Sequence, residues 1–180
     1  MNELFKGKLI RLSACRSEDD EHFARWSNDS EYARFQDSRP AMPLTTAEFA
    51  ERREQRHEHD RIEFRLRTLG EDRLIGFTAL LDVEWNHRRA MLAVGIADRE
   101  YWARGYGSDA VDLMVRYAFD ELNLDRVNLN VWSLNPRAIR AYEKAGFESC
   151  AVLRGDTLKD GQRSDSILMT LSQSEWRTRH

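Results

Sequence analysis

The chain has little of what would tie it to a membrane, to nucleic acid or to a disulfide framework. Its two cysteines, Cys15 and Cys150, are too few and too far apart for a disulfide scaffold, which points to a reducing, cytoplasmic setting. No apolar run approaches the roughly 18 residues that a spanning helix needs. The stretch from Met1 to Lys8 lacks the apolar segment of a signal peptide. Charge is balanced: 28 Lys and Arg against 31 Asp and Glu leave −3, with no basic footprint for nucleic acid and no polybasic segment for a lipid surface. His57 and His59 stand two apart, on different faces of a helix, so no metal site is expected there or elsewhere.

What remains is an ordinary globular composition, 41% apolar and 33% charged, which suits a single domain over residues 1–180 with its core in about 8–172 and a polar tail at 173–180. Lys8 to Ala14 reads as a strand, and Ser17 with Asp20 as a capping box opening a helix that turns Phe23 and Trp26 inward. Asn28 to Pro43 reads as loop. Thr45 or Thr46 caps a charged helix running to about His59. Ile62, Phe64 and Leu66 alternate with Glu63, Arg65 and Arg67 as a half-buried strand, and Leu74 to Val83 returns beside it. Met91–Ala97, Val127–Trp132 and a hairpin of Glu148–Leu158 with Ser164–Leu171 complete about seven strands. Helices lie between them, one down to about Leu122 and one from Pro136 to Ala145. The expected class is α+β, a mixed, mostly antiparallel sheet with flanking helices.

Two motifs carry the chemistry. Tyr101-Trp102-Ala103-Arg104-Gly105-Tyr106-Gly107-Ser108 joins the apolar strand Met91–Ala97 to an amphipathic helix. A strand that turns through glycines into a helix start presents unpaired N–H groups and a positive dipole end, which suits a phosphate. The second motif is Asn135-Pro-Arg-Ala-Ile-Arg-Ala-Tyr-Glu-Lys-Ala-Gly-Phe147. By local rules it is a short helix with Asn as N-cap, Pro at its first position and Gly after its end, and Tyr142 continues its apolar face.

In this order the pair resembles the GCN5-related N-acetyltransferase family over roughly Arg73 to Met169. Asn86-His-Arg-Arg-Ala90 is similar to the branch holding spermidine and diamine acetyltransferases and ribosomal-protein N-terminal acetyltransferases. The resemblance implies that acetyl-CoA is the acetyl donor and that no metal takes part. Its pyrophosphate would be gripped by Arg104, Gly105, Tyr106, Gly107 and Ser108. The strand end Gly95, Ile96 and Ala97 would bond the pantetheine arm, and Asn135 would contact it. Tyr142 would protonate the leaving thiolate, a phenol titrating near 10 against a thiol near 8.5. The sequence departs from the family at Trp102, where Gln or Arg is usual, and at Met91, where the spermidine-type enzymes carry a carboxylate.

Acetyl transfer also needs a neutral amine. Glu84, His87 and Asn130 are the candidates to take its proton, each with an ordinary surface-loop reading beside it. Trp26, Asp29, Tyr32, Phe35, Glu84, Trp85 and His87 lie in two irregular segments that can flank the thioester, and their aromatics and carboxylates suit a cationic acceptor. The expectation is an acetyl-CoA-dependent N-acetyltransferase acting by direct attack on a protein N-terminus or a small amine such as a polyamine. A homodimer stays open. The rival is a CoA-binding sensor with the same fold and no turnover.

Overall fold

The alternation through Ile62–Thr68 builds a strand whose two faces meet different neighbours, and that asymmetry runs through the whole protein. The computed structural model describes residues 3–36, 40–55 and 60–179. In chain order these form β1 (Ile10–Ser13), α1 (Asp19–Ser27), α2 (Ser30–Gln36), α3 (Thr46–Glu54), β2 (Ile62–Thr68), β3 (Leu74–Glu84) and β4 (Arg89–Ile96). There follow α4 (Tyr106–Arg116), β5 (Arg126–Trp132), α5 (Pro136–Ala145), β6 (Glu148–Lys159), β7 (Gln162–Ser172) and α6 (Gln173–Arg179).

The seven strands make one sheet in the order β1-β2-β3-β4-β5-β7-β6, antiparallel at every seam except β4–β5. This is the α+β, mostly antiparallel architecture that the sequence pattern implies. The parallel seam is short: Arg89, Ala90 and Met91 pair with Arg126, Val127 and Asn128, and nothing beyond them pairs. Past that point β4 stays with β3 as far as Ile96 opposite Gly76, while β5 stays with β7 as far as Trp132 opposite Ser166. The two strands therefore diverge at their C-terminal ends, and α4 and α5 flank the opening.

On one face of the sheet, Val111, Leu113, Met114 and Val115 of α4 pack on Leu66, Leu80, Leu92, Val127 and Leu129 in one apolar core. The other face is ionic. Arg65 and Arg67, the polar members of the alternating strand, are both buried, because α1 brings the buried Asp19 against them. Glu63 pairs with Arg61 and Arg65, Asp20 with Arg53 of α3 at 3.0 Å, and the Arg65 guanidinium lies 4.3 Å from the centre of the Phe23 ring. Removing one member of such a network leaves its partner's charge buried.

Three other local expectations fail for identifiable reasons. The Ser17 box is absent: the α1 N-cap is Glu18 and makes no side-chain cap, while Asp19 Oδ2 accepts from the Arg16 N–H at 2.9 Å. Inside the expected loop Asn28–Pro43, Asp29 Oδ1 accepts from the Glu31 and Tyr32 N–H groups and starts α2, a helix too short to show a period. The expected polar tail is α6, docked by Trp176, whose ring centre is 5.6 Å from that of Phe119, and by Gln173, which donates to the Phe119 carbonyl at 2.9 Å. The Thr45 cap does form, with Glu48 closing the box, but His57 and His59 lie outside the described residues.

Asp109, buried in the first turn of α4, ties the start of the chain to that helix. Its carboxylate accepts from the N–H groups of Lys8, Leu9 and Ile10 at 2.9, 2.7 and 3.0 Å. Asp109→Ala strands all three donors and should cost about 3 kcal/mol. In a chain of this length that lowers the melting temperature by about 6–12 °C, read by a thermal melt. A melt within 2 °C of the unsubstituted protein would mean that water replaces the carboxylate at no cost.

Candidate active site

The opening between β4 and β5 continues into a cavity of about 470 Å³. Its walls are the C-terminal ends of both strands, the first turn of α4 and one side of α5. The Ala97 N–H donates to the Ile75 carbonyl on β3 at 2.8 Å. By alternation, the backbone groups of Val94 and Ile96 point the other way, into the gap.

Gly105 starts α4 in the left-handed conformation, φ 89°, which a side chain would strain, and makes no side-chain cap. The first intrahelical bond is Asp109 N–H to the Gly105 carbonyl at 3.0 Å, so the N–H groups of the preceding turn are left for a ligand. Gly107 lies next to this open end, on the cavity wall. Three basic residues that the sequence reading did not single out, Arg137, Arg140 and Lys144, also line the cavity. Their spacing of three and four along α5 puts them on one helix face, the signal that would have found them. Arg137 lies 4.0 Å from the centre of the Trp102 ring, and burial holds its pKa below the usual arginine value. An anion-binding turn, a Cβ-free wall and a basic helix face together fit the phosphates of CoA.

Trp102, the departure from the family pattern, holds the end of β4: its indole N–H donates to the Ile96 carbonyl at 2.7 Å. A Cβ on Gly95 would stand 2.5 Å from Gln36 Nε2 and 2.6 Å from Phe77 Cε1, so the glycine makes room for these two side chains.

Of the residues singled out in the sequence, the cavity gathers Gly95, Ile96, Gly105, Gly107, Ser108, Asn135, Tyr142, Tyr32, Phe35 and Asn130. Asn135 serves its helix and the cavity at once: Oδ1 accepts from the Ala138 N–H at 3.1 Å, which leaves Nδ2 for a ligand. Tyr142 is buried, its ring edge-on to Phe147 at 6.0 Å, and burial pushes its phenol up to about 12. Tyr32 is buried at the rim, its pKa likewise raised by burial.

The others lie elsewhere. Ala97 is enclosed in a small core with Phe23, Trp26, Tyr32 and Leu74, which also removes Trp26 from the site. Arg104 turns back to donate to the Glu100 carbonyl at 3.0 Å, and Tyr106 stacks edge-on with Tyr101 at 4.9 Å. Asp29 is paired with Arg99. Glu84, Trp85 and His87 sit at the far end of the sheet, about 20 Å of strand from Gly95, and Glu84 holds Arg89 through two bonds of 2.9 and 3.0 Å. No carboxylate or histidine lines the cavity among the described residues.

This fold and this site define a CoA-dependent acyltransferase. The profile described as the acetyltransferase (GNAT) domain matches residues 10–148. The spermidine N(1)-acetyltransferase of Vibrio cholerae is 31% identical over 127 residues, covering 69% of this chain and 72% of that enzyme. That of Escherichia coli K12 is 30% identical over 125 residues, covering 69% and 67%. A crystal structure of the Vibrio cholerae enzyme with CoA and spermine superposes with a TM-score of 0.85 over 93% of this chain and 98% of that one, at 22% identity. The chain belongs to the GCN5-related N-acetyltransferase family and is an N-acetyltransferase that uses acetyl-CoA. No described helix is long and apolar enough to cross a membrane, and no described cluster of His, Cys, Asp or Glu could hold a metal ion.

A Cβ at Gly107, on the cavity wall, would meet only Ile96 Cγ1, at an ordinary 3.8 Å, so the free protein has room for it. Gly107→Val should melt close to the unsubstituted protein while its affinity for CoA by calorimetry falls at least about tenfold. Unchanged affinity in the folded variant would remove this turn from the CoA site.

Proposed function

We propose that this enzyme acetylates an aliphatic di- or polyamine by direct attack of the amine on the acetyl-CoA thioester. The observation that carries the reading is the aromatic end of the cavity. Tyr32, Phe35 and Trp132 line it, and Phe35 and Trp132 also wall a second, smaller cavity. Aromatic faces attract alkylammonium groups, and two cavities that share these rings suit an acceptor with a second charge beyond the reacting nitrogen. The spermidine enzymes among the relatives act on this class of amine. Met91 departs from them, but it belongs to the last parallel pair of the β4–β5 seam, below the opening. Self-association would fit the same branch, since a dodecameric structure of the Vibrio cholerae enzyme superposes with a TM-score of 0.78 at 23% identity.

In the reaction, the phosphates bind at the α4 turn and the basic face of α5, and the thioester lies along the gap. The amine nitrogen attacks the carbonyl carbon, the C–S bond breaks, and Tyr142 gives its proton to the departing sulfur. A phenol pushed up to about 12 by burial keeps its proton across the working range and is in place to hydrogen-bond the sulfur as its negative charge builds. The amine's proton leaves by water beside Asn130, since no carboxylate lines the cavity among the described residues.

Two outcomes test this. Tyr142→Phe keeps the ring packing and removes the donor, so kcat should fall about 10²-fold with CoA affinity retained; an unchanged kcat would return Tyr142 to the core. With no carboxylate or histidine among the described residues of the cavity, kcat/KM for spermidine should climb from pH 7 through 9 as the amine loses its own proton. The raised phenol pKa means no falling limb below about pH 10. A plateau near pH 7 would reveal an enzyme base, and no thiol release with any polyamine would end the acceptor assignment.

A further inference from the structure

The smaller cavity, about 160 Å³, lies under the tip of the β6–β7 hairpin. That tip is fastened to α2. Asp160 pairs with Arg34 at 2.9 Å, and Lys159 Nζ donates to the Arg34 carbonyl. The same Nζ stands 4.0 Å from the centre of the Trp132 ring, the ring shared by both cavities. Behind it Ser164, nine-tenths buried, carries a hydroxyl with no hydrogen-bond partner. The protein's own alkylammonium thus occupies an aromatic face beside the aromatic end of the main cavity.

We propose that Lys159 is a tethered competitor for the second cation of the acceptor, with Trp132 as the platform both use. The inference rests on the polyamine reading above. A lysine on the hairpin tip acts at an effective concentration in the millimolar range, so an acceptor whose distal ammonium binds the ring weakly does not displace it. A di- or polyamine reaches the ring with its distal charge while its reacting nitrogen lies in the main cavity. A monoamine has no charge to spare for the exchange. Lys159 thereby sets a threshold that favours acceptors carrying several charges at the right spacing. When one binds, the lysine swings out to water and its bond to Arg34 opens.

Lys159→Met keeps the stem and removes the ammonium. With spermidine as acceptor its KM should fall roughly three- to tenfold, with kcat and the KM for acetyl-CoA little changed. A monoamine of similar length should gain less. Lys159→Arg, which also sits on aromatic faces, should restore the higher KM. General repulsion between Lys159 and a cationic acceptor would persist without the ring, so the deciding measurement is the double-mutant cycle with Trp132→Leu. Lys159→Met should have no further effect in that background. A KM that rises in a folded Lys159→Met protein would make the lysine a clamp for the hairpin and overturn the inference. An equal fall with and without Trp132 overturns it as well. If the unsubstituted enzyme turns over no polyamine, the acceptor reading fails first and takes this inference with it; if it does and the Lys159 variants match it, this inference alone fails.

Discussion

Three residue pairs hold β4 to β5, and the rest of the site depends on their stopping at Met91 and Asn128. A parallel seam that continued to Ile96 and Trp132 would consume the backbone groups of both strands in each other. Each strand instead keeps its outer neighbour, β3 or β7, so the sheet stays intact while its middle opens. A partly buried backbone left unpaired is costly. The Trp102 indole relieves part of that at the Ile96 carbonyl. The remaining groups stay available to a bound thioester arm, which can replace the missing strand.

Around the opening, charge is divided by element. The α4 turn offers N–H groups and a dipole end, the α5 face offers Arg137, Arg140 and Lys144, and no described carboxylate reaches the cavity. Such a wall concentrates an anionic cofactor. The described acidic residues beside the smaller cavity and α2 are paired: Asp29 and Glu31 hold Arg99, and Asp160 holds Arg34. What Tyr32, Phe35 and Trp132 offer the cavity is aromatic faces, which a basic wall does not neutralise.

The structure that supports these surfaces uses two different kinds of glue. The α4 face of the sheet is an apolar core, whereas the α1 face is a buried network of Asp19, Asp20, Glu63, Arg53, Arg65 and Arg67. In the ion network each charge loses its compensation when displaced. α2 is held beside it by Tyr32 in the small core with Phe23 and Trp26 and by the pairing of Asp29 and Glu31 with Arg99, which sets Phe35 and Gln36 on the cavity wall.

Local pattern was enough for most of the elements and for the glycine turn into α4. Alternation marks β2, glycines mark the start of α4, and Asn135-Pro136 with Gly146 delimits α5, because each depends on residues a few positions apart. The one-face spacing of Arg137, Arg140 and Lys144 was equally local but carries meaning only once α5 is known to face the cavity. Burial of Arg65 and Arg67 was not legible, since it depends on α1 arriving from about fifty residues earlier in the chain with Asp19. Nor was the distance of Glu84 and His87 from the cavity: a turn adjacent in sequence to β4 lies at the end of that strand away from Gly95. The sequence by itself determined most of the strands and helices and the glycine turn that opens α4, all products of short-range geometry. Only the tertiary structure decided where β4 and β5 part and which rings and cations meet there, because those depend on which neighbour each strand keeps.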